Sequence, residues 1–77
     1  MDYDTDKVDD TVLALLFLTM HDDYTRAWKG HDWDALDRLH AKGYISNPKS
    51  KAKSVVISEE GRTRAEMLFQ RLFGKTP

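Results

Sequence analysis

Gly43 and Ser58 constrain this chain more than any other two residues, because one can end a helix and the other can begin one on local chemistry alone. Upstream of Gly43, the segment Trp33–Lys42 places Trp33, Leu36, Leu39 and His40 within one arc of about 120° at helical spacing. Asp32 stands at its N-cap, and Gly43 at the position where a helix turns left-handed to stop. Beyond Gly43 the period changes. Tyr44-Ile45 opens an extended segment, Asn47-Pro48 signals a turn, and "SVVIS" is a β-branched return strand. Ser58 then caps the last helix, with Glu59 and Glu60 in its first turn. Ala65, Leu68, Phe69, Leu72 and Phe73 follow at i, i+3, i+4, i+7 and i+8, a core-facing stripe.

The upstream half is read the same way. Thr5 or Asp6 can cap a first helix, and Asp9 and Asp10 favour the positive end of its dipole. "VLALLFLTM" is apolar nearly all round: Val8, Val12, Leu15, Leu16 and Thr19 mark one stripe, Leu13, Phe17 and Met20 a second. A helix apolar on two sides is covered on two sides. Either neighbouring helices do this or a second copy of the chain does, and the second option predicts a homodimer interface of Leu13, Phe17, Met20 and Phe73. "HDDYTRAW" is expected to form a short second helix ending at Lys29-Gly30. The order becomes helix, helix, helix, strand, loop, strand, helix. That is a mainly α chain with a small β-hairpin, a winged helix-turn-helix plan in one domain of residues 1–77, with an acidic arm at 1–6 and a wing loop at 47–53.

With 77 residues, such a domain buries only about 60–65% of its unfolded surface. Its core must lean on large side chains, and Trp28, Trp33, Phe17, Phe69, Phe73 and Tyr44 are the candidates. The two tryptophans are expected to pack the turn against the first helix; the alternative is an exposed aromatic patch for a partner. Leu36, Leu39, Ile45, Val55, Ile57, Leu68 and Phe69 should share one core with Leu15 or Leu16. The chain has no cysteine, which excludes disulfides and thiolate metal sites. No basic segment precedes the apolar run Val12–Leu18, which is too short to span a bilayer, so a soluble, cytoplasmic protein is expected.

Charge is divided along the chain. Residues 1–37 hold ten Asp against Lys7, Arg26 and Lys29, and residues 38–77 hold nine Lys or Arg against Glu59, Glu60 and Glu66. Such a split either offers an attractive face to an anion or lets the two halves attract each other.

"LDRLHAKGYI", a basic loop and "SVVISEEGRTRAEMLF" together resemble the winged-helix regulators of the multiple-drug-resistance and phenolic-acid repressor kind over residues 36–69. Those proteins end a recognition helix with spaced leucines and a glycine before an apolar pair, and leave the wing into a Ser/Thr-x-x-Gly helix start. The whole chain is also similar to small bacterial proteins known only as a domain of unknown function. The winged-helix resemblance implies that Trp33–Lys42 is a recognition helix and "NPKSKAK" a wing. Duplex DNA is then the expected partner, with Arg38, Lys42, Lys49, Lys51 and Lys53 as binding residues. An extended loop would project Lys49, Lys51 and Lys53 the same way, toward phosphates that position a protein without reading sequence. The helix itself argues for weak readout: Asp34 and Arg38 have the i,i+4 spacing of an intrahelical ion pair, and Asp37 would repel phosphate. The alternative is a protein-interaction or dimerisation module that does not bind DNA.

Other constellations carry less. Asp2, Asp4 and Asp6 alternate as in a calcium loop, but Lys7 stands where glycine is needed and Leu13 where a bidentate Glu is needed. His21, Asp22, Asp23, His31 and Asp32 lack metal-binding spacing. His40, on the buried arc, is expected to be a hydrogen-bonded structural histidine. Ser46, Ser50, Ser54 and Ser58 occupy strand, loop or cap positions with no recognisable base or oxyanion hole. No catalytic residue, metal or cofactor is expected, and the chain is read as a non-enzyme.

Overall fold

A computed structural model describes residues 1–75. It has three helices and one small antiparallel sheet, in the order α1 (Thr5–Leu18), β1 (Met20–His21), β2 (Arg26–Trp28), α2 (Trp33–Ala41), β3 (Ser54–Val56) and α3 (Glu59–Phe73). The strands lie in the order β1-β2-β3. This mostly helical architecture is compatible with a winged-helix-like arrangement. One expected element is replaced: residues 20–28 form a β-hairpin and not a short helix. Asp22, Asp23 and Tyr24 all adopt positive φ, at 53°, 58° and 64°, which turns the chain back on itself. Aspartate tolerates this left-handed region better than most residues. Thr25 closes the turn through its amide to His21 O (3.2 Å) and its hydroxyl to Asp22 O (2.6 Å). The hairpin then has something to pair with. Ala27 lies opposite Met20 on one side and Val55 on the other, and Ala27 and Val55 are fully buried.

Helix ends follow cap chemistry. Asp32 accepts from the Ala35 amide (3.0 Å) and Ser58 from the Gly61 amide (2.9 Å), and Gly43 takes φ 82° after α2. α1 begins one residue earlier than expected, because Asp4 is its cap, accepting from the Lys7 amide (3.1 Å). The expected strand at Tyr44-Ile45 is reduced to an isolated bridge, Ile45 to Ile57, extended by the Ser46 amide donating to Val56 O (2.9 Å).

The core is Val12, Leu13, Ala14, Leu16, Ala27, Ala35, Leu36, Leu39, Ile45, Val55, Ile57, Ala65 and Leu68, with Phe69 partly buried against it. The stripes of α2 and α3 meet on α1 only in part: Leu36 and Leu39 of α2 and Ala65, Leu68 and Phe69 of α3 pack there, while Leu72 and Phe73, at the end of α3 beyond the core, are exposed. Three expectations change. Leu13, assigned to a dimer interface, is fully buried inside the protomer, because α2, α3 and β2 all pack on α1 and cover both of its stripes. Met20 also faces this core and is half-buried. Trp28 and Trp33 are 54% and 55% exposed: Trp28 falls on the outward side of β2 beside inward Ala27, and Trp33 opens α2 before its buried arc begins at Ala35. His40 is exposed, although its Nδ1 lies 3.0 Å from Ile45 O as a structural histidine's would.

Candidate nucleic-acid interface

The basic loop between Ser46 and Ser54 is fixed to the body of the domain. Its entry is held by Ser46, whose amide reaches Val56 O and whose hydroxyl accepts from the Val56 amide, both at 2.9 Å. Pro48 is fully buried, and the Asn47 side chain accepts from the Lys49 amide (2.9 Å). The strongest tie comes from Lys29, which follows β2: its ammonium donates to Pro48 O and Ser50 O, both at 2.7 Å, and its amide to Lys53 O at 3.2 Å. Residues 48–53 run through turns and bends and not as an extended strand. The period-two reason for Lys49, Lys51 and Lys53 to share a direction therefore does not apply. What they share is exposure, and none of the three pairs with a carboxylate among the described residues.

Arg38 and Lys42 are placed differently. Both turn back onto Asp9 of α1, which has no exposed surface. Arg38 Nε donates to both Asp9 oxygens (2.9 and 2.8 Å), its Nη2 lies 2.8 Å from Oδ1, and Lys42 Nζ sits 3.0 Å from Oδ2. Lys42 also reaches Asp6 at 3.4 Å. Burial alone would raise the Asp9 carboxyl, but hydrogen bonds from Arg38 and Lys42, and their charges, outweigh it and hold the group below its ordinary value. The Asp9 hydrogen bond in turn raises Arg38. Lys42 is raised as well, its desolvation being outweighed by Asp9. The expected Asp34–Arg38 pair is replaced by this contact, because a buried carboxylate with no water to solvate it attracts a cation more strongly than an exposed one does. Arg64 likewise pairs with Asp10 (3.2 Å). The acidic and basic halves of the chain therefore attract each other across α1.

Two further surfaces stand open. Leu18, Leu72 and Phe73 are 64%, 47% and 47% exposed, beside a run of rings in which Phe17, Phe69 and Phe73 lie at successive centroid distances of 5.4 and 5.5 Å. An open groove of about 880 Å³ runs past Tyr44, Ser58, Glu59, Glu60, Arg64 and Met67. Among the described residues no three His, Asp or Glu side chains gather as metal ligands, and no helix is long and apolar enough to cross a membrane. The parts played by Asp9 and Lys29 were not expected from the sequence, and of the two placements weighed for the tryptophans it is the exposed one that is found. Only Asp9 had a usable signal: with Val12, Leu13 and Leu16 it falls at i, i+3, i+4 and i+7, on the buried face.

Fold and site thus define a small, mostly helical domain with a three-stranded antiparallel sheet, compatible with a winged-helix-like arrangement, and a clamped lysine loop. The chain belongs to the family described as Domain of unknown function (DUF6429), whose model matches residues 4–75. It is similar to the uncharacterized protein y4hR of Sinorhizobium fredii, with 55% identity over 73 residues, which are 95% of this chain and 97% of that protein. No solved structure matches the chain.

Proposed function

We propose that this chain is a small nucleic-acid-binding domain that holds the phosphate backbone through Lys49, Lys51 and Lys53, with weak sequence readout and a binding rather than catalytic role. The observation that supports it is three exposed lysines, unpaired among the described residues, on a loop that Lys29 and Ser46 fix in place. A loop already ordered loses less freedom when it binds, and lysines of this kind make phosphate contacts, which position without specifying. Weak readout follows from α2. Arg38 of α2 and Lys42 at its C-cap are both engaged by Asp9, and exposed Asp34 would meet a backbone unfavourably. Generic duplex DNA should bind at about 20 mM salt, with a log–log salt slope near −0.9 per phosphate contact. Replacing all three lysines with alanine should flatten that slope by up to about 2.7 units per protomer. A parent chain that binds neither duplex nor single-stranded DNA at that salt overturns the proposal.

One observation favours a second reading, a protein-interaction module that forms homodimers without binding DNA. It is the apolar end at Leu18, Leu72 and Phe73, since water-exposed apolar clusters of this kind mark association surfaces.

A further inference from the structure

Trp28 and Trp33 are the only tryptophans of the chain, and both stand more than half exposed. Neither is loose. The His21 ring stacks against Trp28 with centroids 4.8 Å apart and planes inclined by 34°. The Lys29 ammonium lies 5.9 Å from the Trp33 ring centroid. Each indole is thus supported by its own chain and still keeps more than half its surface open.

The two rings border the lysine loop. Trp28 is paired with Ser54 in the sheet, one residue from Lys53, and Lys29 joins Trp33 to the carbonyls of Pro48 and Ser50. The surroundings are cationic: Lys29, Lys49, Lys51 and Lys53, with Arg26 on the outward side of β2 held by Ser54 (2.8 Å). Of the nearby carboxylates, Asp22 is turned toward His21 (3.5 Å) and Asp32 is occupied as the cap of α2. Asp32 keeps its charge as a cap, so Asp32 and Asp34 on either side of Trp33 both oppose an anion there, which makes Trp28 the stronger of the two positions.

We propose that Trp28 and Trp33 are stacking positions for unpaired nucleobases, so that the ligand class of this surface is single-stranded nucleic acid. The inference rests on the reading of the lysine loop as a phosphate contact and specifies what lies beside the phosphates. In a duplex the base faces are hidden in the stack, and an exposed indole finds little to meet. In a single strand every base offers a π-face to an aromatic ring, while neighbouring cations follow the backbone. Such binding is tolerant of sequence, which agrees with a recognition helix whose cations are engaged elsewhere.

The test uses the whole chain with three probes at low salt: an oligothymidylate of about 12 nucleotides, inside the span of known single-strand sites, an abasic strand of the same length, and a duplex. Because both tryptophans lie on this surface, their emission reports it directly. The thymidylate should quench that emission and bind about 5- to 150-fold more tightly than the abasic strand, the range expected for one stacked base. Trp28→Ala should remove most of that advantage and leave binding of the abasic strand and the duplex unchanged. Trp28→Phe, which keeps a ring, should retain most of it, and matching circular dichroism melts confirm that the variants fold. Thymidylate bound no more tightly than the abasic strand, or equally by parent and Trp28→Ala, overturns the stacking role while lysine-dependent duplex binding still supports the phosphate contact. Failure of all three probes to bind overturns both.

Discussion

Asp9 is the residue on which the charge arrangement of the protein turns. A fully buried carboxylate is costly unless cations and hydrogen bonds compensate it, and here Arg38 and Lys42 supply both. The consequence for acid stability has a definite sign. Its folded carboxyl lies below the ordinary value of 3.8, so the folded state binds a proton less readily than the unfolded chain. The stability this contributes is complete above the unfolded value and is lost as pH falls through the folded one. Melting temperature should therefore drop as pH descends below about 5 and on through the region under that value. Asp9→Asn should melt lower than the parent at neutral pH and show a shallower acid limb. Parallel limbs in the two proteins would show that another group controls acid unfolding. From the sequence this aspartate reads only as a charge favouring the helix N-terminus, a role that an exposed or a buried carboxylate fills equally; its register with Val12, Leu13 and Leu16 is what marks it as buried.

Among the elements, α3 shows why its first turn carries glycine. The Ser58 hydroxyl donates to Gly43 O (2.7 Å) while accepting from the Gly61 amide, which draws the start of α3 onto the Tyr44 backbone. A Cβ at position 61 would fall inside the van der Waals envelope of Tyr44 O, which is backbone and cannot swing away. Gly61→Ala should thus destabilise by about 1–3 kcal/mol, the usual cost of overpacking, although alanine is the better helix former. Chemical denaturation checks it: an unchanged or raised midpoint would mean that α3 does not approach the Tyr44 backbone so closely. Elements whose signals are local were legible. Asp32, Gly43 and Ser58 act where their types imply, and Leu36, Leu39 and Leu68 face the core their spacing implies. The β1–β2 hairpin was not legible, because its turn rests on three consecutive non-glycine residues at positive φ, and it is stabilised by β3, which is 26 or more residues further on. Trp28 and Trp33 misled for a related reason: large aromatics are core by default in a small domain, and which side of a strand or helix end they occupy depends on pairing the sequence does not display.

On the scale of the whole molecule, opposite charges close the fold and apolar surface gathers at one end. Asp10 meets Arg64 in the first halves of α1 and α3, and Phe17 meets Phe69 in their second halves, so the two helices run parallel and their C-terminal ends coincide. Leu18, Leu72 and Phe73 are exposed at that shared end. Of the four residues expected at a dimer interface, Leu13 is buried and Met20 faces the core, which leaves Phe17, half-buried against Phe69, and Phe73, largely exposed. A two-fold contact through this end would cover the rings of both copies and leave the lysine loop accessible only if the loop lies outside it. At high micromolar concentration the protein should sediment with the mass of a dimer, and its melting temperature should rise with concentration, as linkage requires when only the folded chain associates. Phe73→Glu is the decisive variant, because that side chain is already half in water and contributes less to the monomer core than Phe17. It should sediment as a folded monomer with an unchanged helical spectrum and a concentration-independent melt. A parent chain that remains monomeric at those concentrations, or a Phe73→Glu variant that still dimerises, would remove this end of α1 and α3 as an association surface.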